Sequence, residues 1–537
     1  MYLSKKLPVI APGELHLSER SYRLLLLLVV LTAVAVRVYQ FGLIPGGVNQ
    51  DGAMAAVDAR ALADYGTDRF GMKFPIHLTA WGYGQMSTML SWLMIPFIRL
   101  FGLNTVTMRL PQLIVSLAGL LCLYLFIRDM FGKYAALAVL SFAAVNPWHI
   151  LQSRWALDCN LFPHFFLAGL FLLHRALMNR IHRGLLCASM ILFGLCMYCY
   201  GVSLYTVPVF LLGACLYLIC SRTISPGHAV LAFLVYLSTA WPFIAVMAIN
   251  FFGLESIEVF RLFTLPRFPA SVRSHDILFF SGDIPGQLID NCRSLVNITL
   301  LQKKDLPWND LEGFGSMYLF SIPFGITGLI SLLRVFRRKT GAKLILLFLL
   351  SGIWCGLITG NVNINRLNII YYPIMILSGL GIYQVFRWIP RPPVRWGVAM
   401  AYLLSFALFT HTYFTSYARE IRYWFFGDFC EAVSALKESG AEKYYITPDC
   451  RQEGASPASE ILTLFRHEID AEYFQGKNTP PGELSYQEKY VFRLTRDLQI
   501  NPLEDAAYVI RSEDLALFDE SLFEFEQFGA YDMVTPK

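Results

Sequence analysis

The chain has 537 residues, of which 55% are hydrophobic and only 15% are charged, and its formal net charge is +5. Soluble domains carry about 25% charged residues, so this composition excludes an ordinary water-soluble enzyme. The basic residues lie in short loops between apolar runs, which is not the clustered pattern of a nucleic-acid-binding surface. The 11 cysteines show no metal-ligand spacing.

Apolar runs recur from Leu24 to Phe414, and each is long enough to cross a bilayer core of about 30 Å. They predict an all-α polytopic membrane domain over residues 22–414 with about eleven spans. The spans are predicted at Tyr22–Phe41, Val106–Ile127, Tyr134–Ile150, Leu161–Met178, Leu185–Tyr200, Leu204–Cys220, Ala229–Asn250, Met317–Val335, Leu344–Gly360, Leu367–Phe386 and Val398–Phe414. The stretch 86–101 contains Pro96 and is short for a span, so it is predicted to lie at the membrane interface.

Lys and Arg concentrate in alternate loops, and short basic loops stay in the cytoplasm. This pattern predicts a plasma-membrane protein with a cytosolic N-terminus, residues 1–21. Outer loops are expected at 42–105 and 251–316, followed by an extracytoplasmic tail, residues 415–537. The tail mixes helix-like and strand-like stretches, which predicts a small α/β domain. In an oxidising compartment Cys430 and Cys450 of this tail are candidates for a disulfide.

Charged residues gather on the predicted outer face. Asp51 follows the first span and precedes an amphipathic stretch, 53–65, which is predicted to lie in the headgroup layer. Four further charged residues share that membrane level: Arg109, Arg154, Asp158 and Arg366. Taken singly, Asp51 reads as a helix N-cap and each arginine as a snorkelling side chain. Together they favour a site for an anionic lipid headgroup.

Several short motifs accompany these residues. They are Trp81-Gly82-Tyr83-Gly84-Gln85, Arg109-Leu110-Pro111, Pro147-Trp148-His149, Ser153-Arg154-Trp155 through Asp158 to Asn160, and Asn363-Ile364-Asn365-Arg366. In this order, after an outer-loop Asp, they resemble the GT-C glycosyltransferases, specifically the branch of dolichyl-phosphate-mannose protein mannosyltransferases and aminoarabinose transferases, and its bacterial members most. The resemblance covers about Tyr22 to Phe414 and, more loosely, the tail.

The resemblance implies a role for each matching residue. Asp51 corresponds to the catalytic base, Arg109 to an arginine that contacts the carrier phosphate, and Asp158 to an acid that shapes the acceptor or sugar site. Further residues are predicted to bind the lipid phosphate or the donor: Arg154, Arg366, Asn365 and Gln85. His149 and Asn160 are expected to contact these site residues and hold them in position without binding the ligand themselves.

The expected reaction moves a hexose or pentose from an undecaprenyl- or dolichyl-type phosphate to a hydroxyl of a glycan, lipid or protein. Guanidinium groups would stabilise the leaving phosphate, and a carboxylate would take the acceptor proton. A single displacement would invert the anomeric centre. No cofactor is required by this chemistry, and a divalent metal held by Asp158, His149 and His164 is the less favoured alternative.

One position departs from the family pattern, because Gly52 stands where the family usually places a Glu after the first Asp. A missing carboxylate would imply a different acceptor, a weaker enzyme or a lost activity. One alternative function is a non-catalytic scaffold of an envelope glycan assembly complex. Another is a transporter of the carrier lipid, which would place ionisable residues at mid-bilayer and repeat itself in two halves. The sequence shows neither of those two signs.

Overall fold

The computed structural model is a helical bundle followed by a small mixed sheet, and it describes residues 17–81, 84–268, 276–450 and 458–537. Residues 1–16 of the predicted cytosolic segment, 1–21, therefore lie outside the described residues. The helices of the first part are α1 Glu19–Val38, α2 Gln50–Tyr65, α3 Met89–Phe101, α4 Thr105–Phe131, α5 Lys133–Ala144, α6 Pro147–Gln152, α7 Phe162–Ala176, α8 Arg183–Leu195, α9 Ser203–Cys220, α10 Pro226–Phe252, α11 Ile284–Thr299, α12 Ile322–Val335, α13 Thr340–Ile358, α14 Ile364–Leu367, α15 Tyr371–Trp388 and α16 Pro392–Phe414. Two short hairpins interrupt them: β1 Leu78–Thr79 with β2 Gln85–Met86, and β3 Ile257–Val259 with β4 Phe263–Leu265.

Each of the eleven predicted spans overlaps one of these helices. Within the described residues, seven helical segments are long and apolar enough to cross a membrane: α1, α4, α9, α10, α13, α14 with α15, and α16. The remaining overlapping helices are shorter than the roughly 20 residues that a straight crossing needs. A multi-pass membrane protein is therefore confirmed, whereas the total of eleven crossings stays a prediction.

The third predicted span is broken near its C-terminal end. Helix α5 ends at Ala144, and α6 begins at Pro147 after Asn146, whose side chain accepts a hydrogen bond from the backbone N–H of His149. Asn as N-cap and Pro at the first helical position are strong helix-start signals. The short helix α6 therefore leads into the second outer loop.

The first outer loop is enclosed by protein, which differs from the predicted headgroup position of its helix. Nearly all of α2 from Gly52 to Ala63 is buried, and it packs against α3 and α4. Asp58 of this helix is fully buried and accepts from Arg69 NH1 at 2.5 Å. The partner of this carboxylate, Arg69, lies eleven residues further along the chain. The spacing of apolar residues along α2 therefore could not predict that Asp58 is buried.

The tail forms a five-stranded mixed sheet with flanking helices, which confirms the predicted small α/β region. Its helices are α17 Ser416–Trp424, α18 Gly427–Glu438, α19 Ala458–Arg466, α20 Ala471–Phe474 and α21 Tyr486–Lys489, and its strands are β5 Lys443–Ile446, β6 Tyr490–Phe492, β7 Ala506–Arg511, β8 Phe523–Phe528 and β9 Tyr531–Pro536. The strand order is β6-β5-β7-β9-β8, with β5 parallel to β6 and β7, and β9 antiparallel to β7 and β8. Cys430 and Cys450 are both buried, and the described chain shows no disulfide between them.

The tail docks directly on α2. Helix α19 packs along α2, and the Tyr65 hydroxyl donates to Asp470 Oδ2 at 2.6 Å. At the other end of α2, the backbone N–H of Val48 donates to the Phe425 carbonyl at 2.6 Å. The helix that carries Asp51 is thus held from both ends by the tail.

A buried histidine makes the stability of the tail depend on pH. His467 Nε2 donates to the Val433 carbonyl at 2.8 Å, and Nδ1 lies 3.1 Å from the Tyr490 hydroxyl. Burial lowers the pKa of His467 from 6.5 to about 4, so the folded chain holds it neutral. The unfolded chain binds the proton near pH 6.5, so stability is full above that pH and falls as pH decreases toward 4.

We therefore expect the melting temperature of the full-length protein to fall between about pH 7.5 and about pH 5 more steeply than in His467→Gln. The slope of the His467 contribution approaches about 1.4 kcal/mol per pH unit below about pH 6.5. Thermal unfolding of both proteins in the same detergent measures the difference. Parallel pH profiles would contradict the assignment.

Candidate active site

Asp51 lies in the first turn of α2, where the helix dipole favours a negative charge. The indole Nε1 of Trp81 donates to Asp51 Oδ1 at 2.7 Å, which fixes the carboxylate against the segment of the first outer loop that follows β1. The residue Asn49 occupies the N-cap position and donates through Nδ2 to the Ala156 carbonyl at 3.0 Å. The start of α2 is therefore tied to the second outer loop.

Gly52 permits this contact. A Cβ at position 52 would lie 2.8 Å from Asn49 Oδ1 and 3.0 Å from the Ala156 carbonyl oxygen. Both distances are shorter than ordinary van der Waals contacts, and the carbonyl belongs to a backbone that cannot rotate away. The glycine that departs from the family pattern is thus required by the close approach of the second outer loop to α2.

Asp158 begins a short 3-10 turn in that second loop and is almost completely buried. Its Oδ1 accepts from the backbone N–H of Cys159 at 2.7 Å. The turn is held from behind by Asn368, whose Nδ2 donates to Asn160 Oδ1 at 3.0 Å and to the Cys159 carbonyl at 3.3 Å. Asn160 therefore contacts the supporting layer and not the cavity.

Arg366 lies in the short helix α14, between α13 and α15. Its NH2 donates to Asp276 Oδ2 at 2.7 Å, and its NH1 donates to the Gly360 carbonyl. Asp276 also accepts from Asn361 Nδ2 at 3.1 Å. One carboxylate thus orients both the arginine and the turn that precedes it.

Asp51, Asp158 and Arg366 line the same cavity, whose volume is about 1050 Å³. The polar side of its wall also includes Gln85, Asn365, Asn49 and His77. The apolar side is formed by α10 and the start of α9: Phe243, Ile244, Met247, Ala248, Phe251, Val202 and Leu204. One chamber therefore offers carboxylates, a guanidinium and a long apolar surface.

Six lining residues carry a buried polar atom that has no hydrogen-bond partner within the described chain: Asn49 Oδ1, His77 Nδ1, Gln85 Oε1, Trp155 Nε1, Thr359 Oγ1 and Asn365 Oδ1. Buried polar atoms are normally paired, so such a concentration indicates that a polar ligand completes the site. Burial lowers the pKa of His77 to about 4, which keeps this ring neutral. Sequence reasoning missed His77, because a lone loop histidine carries no distinguishing pattern.

Arg109 and Arg154, predicted to contact the phosphate or donor, are not among the lining residues. Both are fully buried. Arg109 donates to the Gly42, Pro45 and Gly47 carbonyls at 2.8–3.2 Å. Arg154 donates to the carbonyls that end α1, including Val36 at 2.8 Å and Tyr39 at 2.7 Å. Both guanidinium groups therefore donate to backbone carbonyls at the end of α1 and in the segment that follows it. They stabilise the conformation of the start of the first outer loop.

His149, predicted to support the site, also faces away from the cavity. Its Nε2 lies 3.1 Å from the Tyr372 hydroxyl, and His164 Nδ1 lies 2.7 Å from the same oxygen. Arg37 NH2 approaches His149 Nδ1 at 3.0 Å. Both histidines are thus engaged in a buried hydrogen-bonded network.

Within the ranges that the structure describes, no group of three His, Cys, Asp or Glu side chains is arranged for a metal.

Comparison with known proteins agrees with this architecture. The family model described as dolichyl-phosphate-mannose-protein mannosyltransferase matches residues 86–245, less than a third of the chain. No curated protein matches the chain in sequence. The crystal structure of ArnT from Cupriavidus metallidurans in the apo state is 14% identical, with a TM-score of 0.52 over 96% of this chain and 97% of that chain.

The structure of the same ArnT bound to undecaprenyl phosphate gives a TM-score of 0.55 at 14% identity, over 96% of this chain and 98% of the other. Such a likeness extends over nearly the full length of both proteins and therefore includes the tail as well as the helical part. The chain has an ArnT-like GT-C fold and resembles the branch of that superfamily formed by the protein mannosyltransferases and ArnT.

Proposed function

We propose that this protein transfers a sugar from a polyprenyl-phosphate carrier to an acceptor hydroxyl, with inversion at the anomeric carbon. The observation that carries the proposal is the shared cavity, in which Asp51 and Asp158 face the same space as Arg366 beside an apolar wall. A carrier lipid needs these three surfaces together: a cationic group for its phosphate, polar groups for its sugar, and an apolar path for its chain.

Asp51 is the proposed base. Its carboxylate is held by Trp81 at the N-terminus of α2, so it is oriented before the acceptor binds. In an inverting displacement the acceptor oxygen attacks as the bond to phosphate breaks, and the carboxylate takes the hydroxyl proton late in that step. Asp158, buried in the second loop, is proposed to orient the sugar or the acceptor.

Arg366 is the proposed phosphate ligand. The leaving group is already a stable anion, so the main requirement is stabilisation of the charge that develops on its oxygens. Two N–H groups of Arg366 donate to Asp276 and to the Gly360 carbonyl, and its remaining N–H groups are the proposed donors to the phosphate oxygens. Asn365 and Gln85 line the same cavity with side-chain oxygens that accept no hydrogen bond from the described residues, which suits sugar hydroxyl donors. With Arg366 in this role, the chemistry needs no bound metal.

The apolar wall on α10 supports a lipid donor. The ArnT structure that holds undecaprenyl phosphate has the same fold, which supports a polyprenyl phosphate as the carrier here. The positive-inside pattern favours an extracytoplasmic position for the cavity, with the N-terminus in the cytoplasm and the tail outside. The donor would then be made on the cytoplasmic side and would reach the cavity through the bilayer.

The proposal is tested by reconstituting the purified protein in vesicles that contain a radiolabelled undecaprenyl-phosphate sugar pool and adding an envelope extract from a strain that lacks the gene. Label should move from the lipid fraction to a glycan, lipid or protein fraction only when active protein is present. If no fraction gains label across a panel of hexose and pentose carriers, although the protein in the vesicles binds undecaprenyl phosphate, the transferase assignment fails.

Replacing the proposed phosphate ligand should weaken binding of the carrier itself. Hydrogen bonds to charged groups contribute about 1.5–3 kcal/mol, so Arg366→Ala should raise the Kd for undecaprenyl phosphate roughly 10–100-fold. Arg366→Lys should recover only part of the loss, because an ammonium lacks the planar fork. Arg293→Ala, an exposed arginine paired with Asp290, is the matched control and should bind normally.

A further inference from the structure

The hairpin of β3 and β4 follows α10 after a short connection. Ile257 pairs with Leu265 and Val259 pairs with Phe263 in an antiparallel register. The connecting residues Phe260 and Arg261 both have positive φ angles, 49° and 57°, and the Leu262 N–H donates to the Val259 carbonyl at 2.9 Å. Two consecutive left-handed residues define a type I′ turn, which normally selects Asn and Gly.

The tip of this hairpin is apolar and exposed. Phe260 is 89% exposed and Leu262 is 65% exposed, although a bulky residue at positive φ is strained. Ile257 on the neighbouring strand is also exposed. Nothing within the described chain packs on these side chains sufficiently to explain large hydrophobic residues in a turn that disfavours them. Among the described residues, no apolar surface covers Phe260 and Leu262.

Helix geometry places this hairpin at the level of the membrane. Helix α10 has 27 residues, so it is roughly 40 Å long and exceeds a bilayer core of about 30 Å. Trp241 lies 15 residues after Pro226, where the helix begins, which is roughly 22 Å along the axis. The ring of Phe263 lies 6.0 Å from the ring of Trp241, measured between centroids. The hairpin thus runs back along α10 to a depth that the bilayer covers.

Its polar groups limit how deep it can lie. Within the described chain the outer edge of β3 pairs with no further strand, and the hydrocarbon core does not tolerate unpaired backbone groups. Glu258 and Arg261 are exposed on the same hairpin and require headgroups or water. An apolar tip with these neighbours suits the boundary between headgroups and acyl chains.

We infer that the hairpin of residues 257–265 is embedded in the bilayer interface on the cavity side of the protein, with the lipid surface as its partner. The hairpin is also bound to the first outer loop, because the Ile76 N–H donates to the Thr264 carbonyl at 3.0 Å. The next residue, His77, lines the cavity. Insertion of the hairpin therefore sets the height of the cavity above the acyl chains. This inference does not depend on the reaction proposed above.

Site-directed fluorescence tests the inference on the full-length protein. Phe260→Cys is labelled with the environment-sensitive dye NBD in a background of Cys220→Ser and Cys292→Ser, since these two are the exposed thiols of the described chain. The protein is reconstituted in phosphatidylcholine vesicles. Leu503→Cys, at a residue that is 93% exposed in the tail, is the matched control. The unsubstituted background gives the residual labelling.

Dye at position 260 should emit at shorter wavelength than dye at 503. It should be quenched several-fold more strongly by nitroxide-bearing lipid and be protected from aqueous iodide. Dye at 503 should show the reverse pattern. Equal iodide quenching at both positions, in protein whose melting temperature matches the parent, would overturn the inference.

Discussion

Asp51→Asn should slow sugar transfer severely while leaving the fold intact. The amide oxygen of the substituted side chain can still accept from the Trp81 indole, whose hydrogen bond to Asp51 Oδ1 is 2.7 Å long, but an amide cannot take a proton from the acceptor. General-base assistance is worth about 10²–10⁴-fold, so kcat should fall by that factor. The melting temperature and the Kd for undecaprenyl phosphate should stay unchanged.

The matched control is Asp64→Asn, on the same helix. Asp64 is exposed, pairs with Arg60 at 3.5 Å and does not line the cavity. Label transfer by this variant should equal that of the wild type. If Asp51→Asn and Asp64→Asn transferred label at the same rate, Asp51 could not be the base, and Asp158 would be the next carboxylate to substitute.

The second large effect is expected at Gly52. Gly52→Ala would place a Cβ 3.0 Å from the Ala156 carbonyl oxygen and would push the second outer loop away from α2. That loop carries Asp158, so the two carboxylates would separate. A misplacement of about 1 Å can cost roughly 10²-fold in rate, and we expect a loss of that order. Carrier binding should persist, because Arg366 belongs to a different part of the cavity wall.

Gly201→Ala is the control for this experiment. Gly201 also lines the cavity, but a Cβ there would meet nothing within 4 Å. Its transfer rate should remain close to that of the wild type. Full activity in Gly52→Ala would show that the second loop accommodates the methyl group. The missing family carboxylate would then need an explanation other than packing.

The hydrophobic pattern predicted which loops share a side of the membrane, and that was sufficient to bring Asp51, Asp158 and Arg366 together. Long apolar runs leave few alternatives for topology, so residues far apart in sequence can be assigned to one face. The small α/β region of the tail was predicted from helix-like and strand-like stretches, which are also local features of the sequence. These parts of the prediction depend on periodicity and charge, both of which a sequence displays directly.

The direction in which a buried guanidinium points is a different kind of information. Arg109 lies near the start of α4 and Arg154 in the second outer loop, as expected, yet their donors are taken up by the carbonyls of the first outer loop and the end of α1. Nothing in the neighbouring residues distinguishes a phosphate ligand from a group that satisfies backbone acceptors. The pairing of Asp58 with Arg69, and the burial of α2 under the tail, are likewise long-range events that no local pattern encodes.

The contact between the Val48 N–H and the Phe425 carbonyl has a consequence for protein engineering. Because Trp424 and Phe425 belong to the cavity wall, a chimera that exchanged everything after α16 for a homologous segment would also replace part of the reaction chamber. A chimera designed to change acceptor specificity should therefore have its crossover point after Gly427. The native contact between Phe425 and the segment before α2 is then retained.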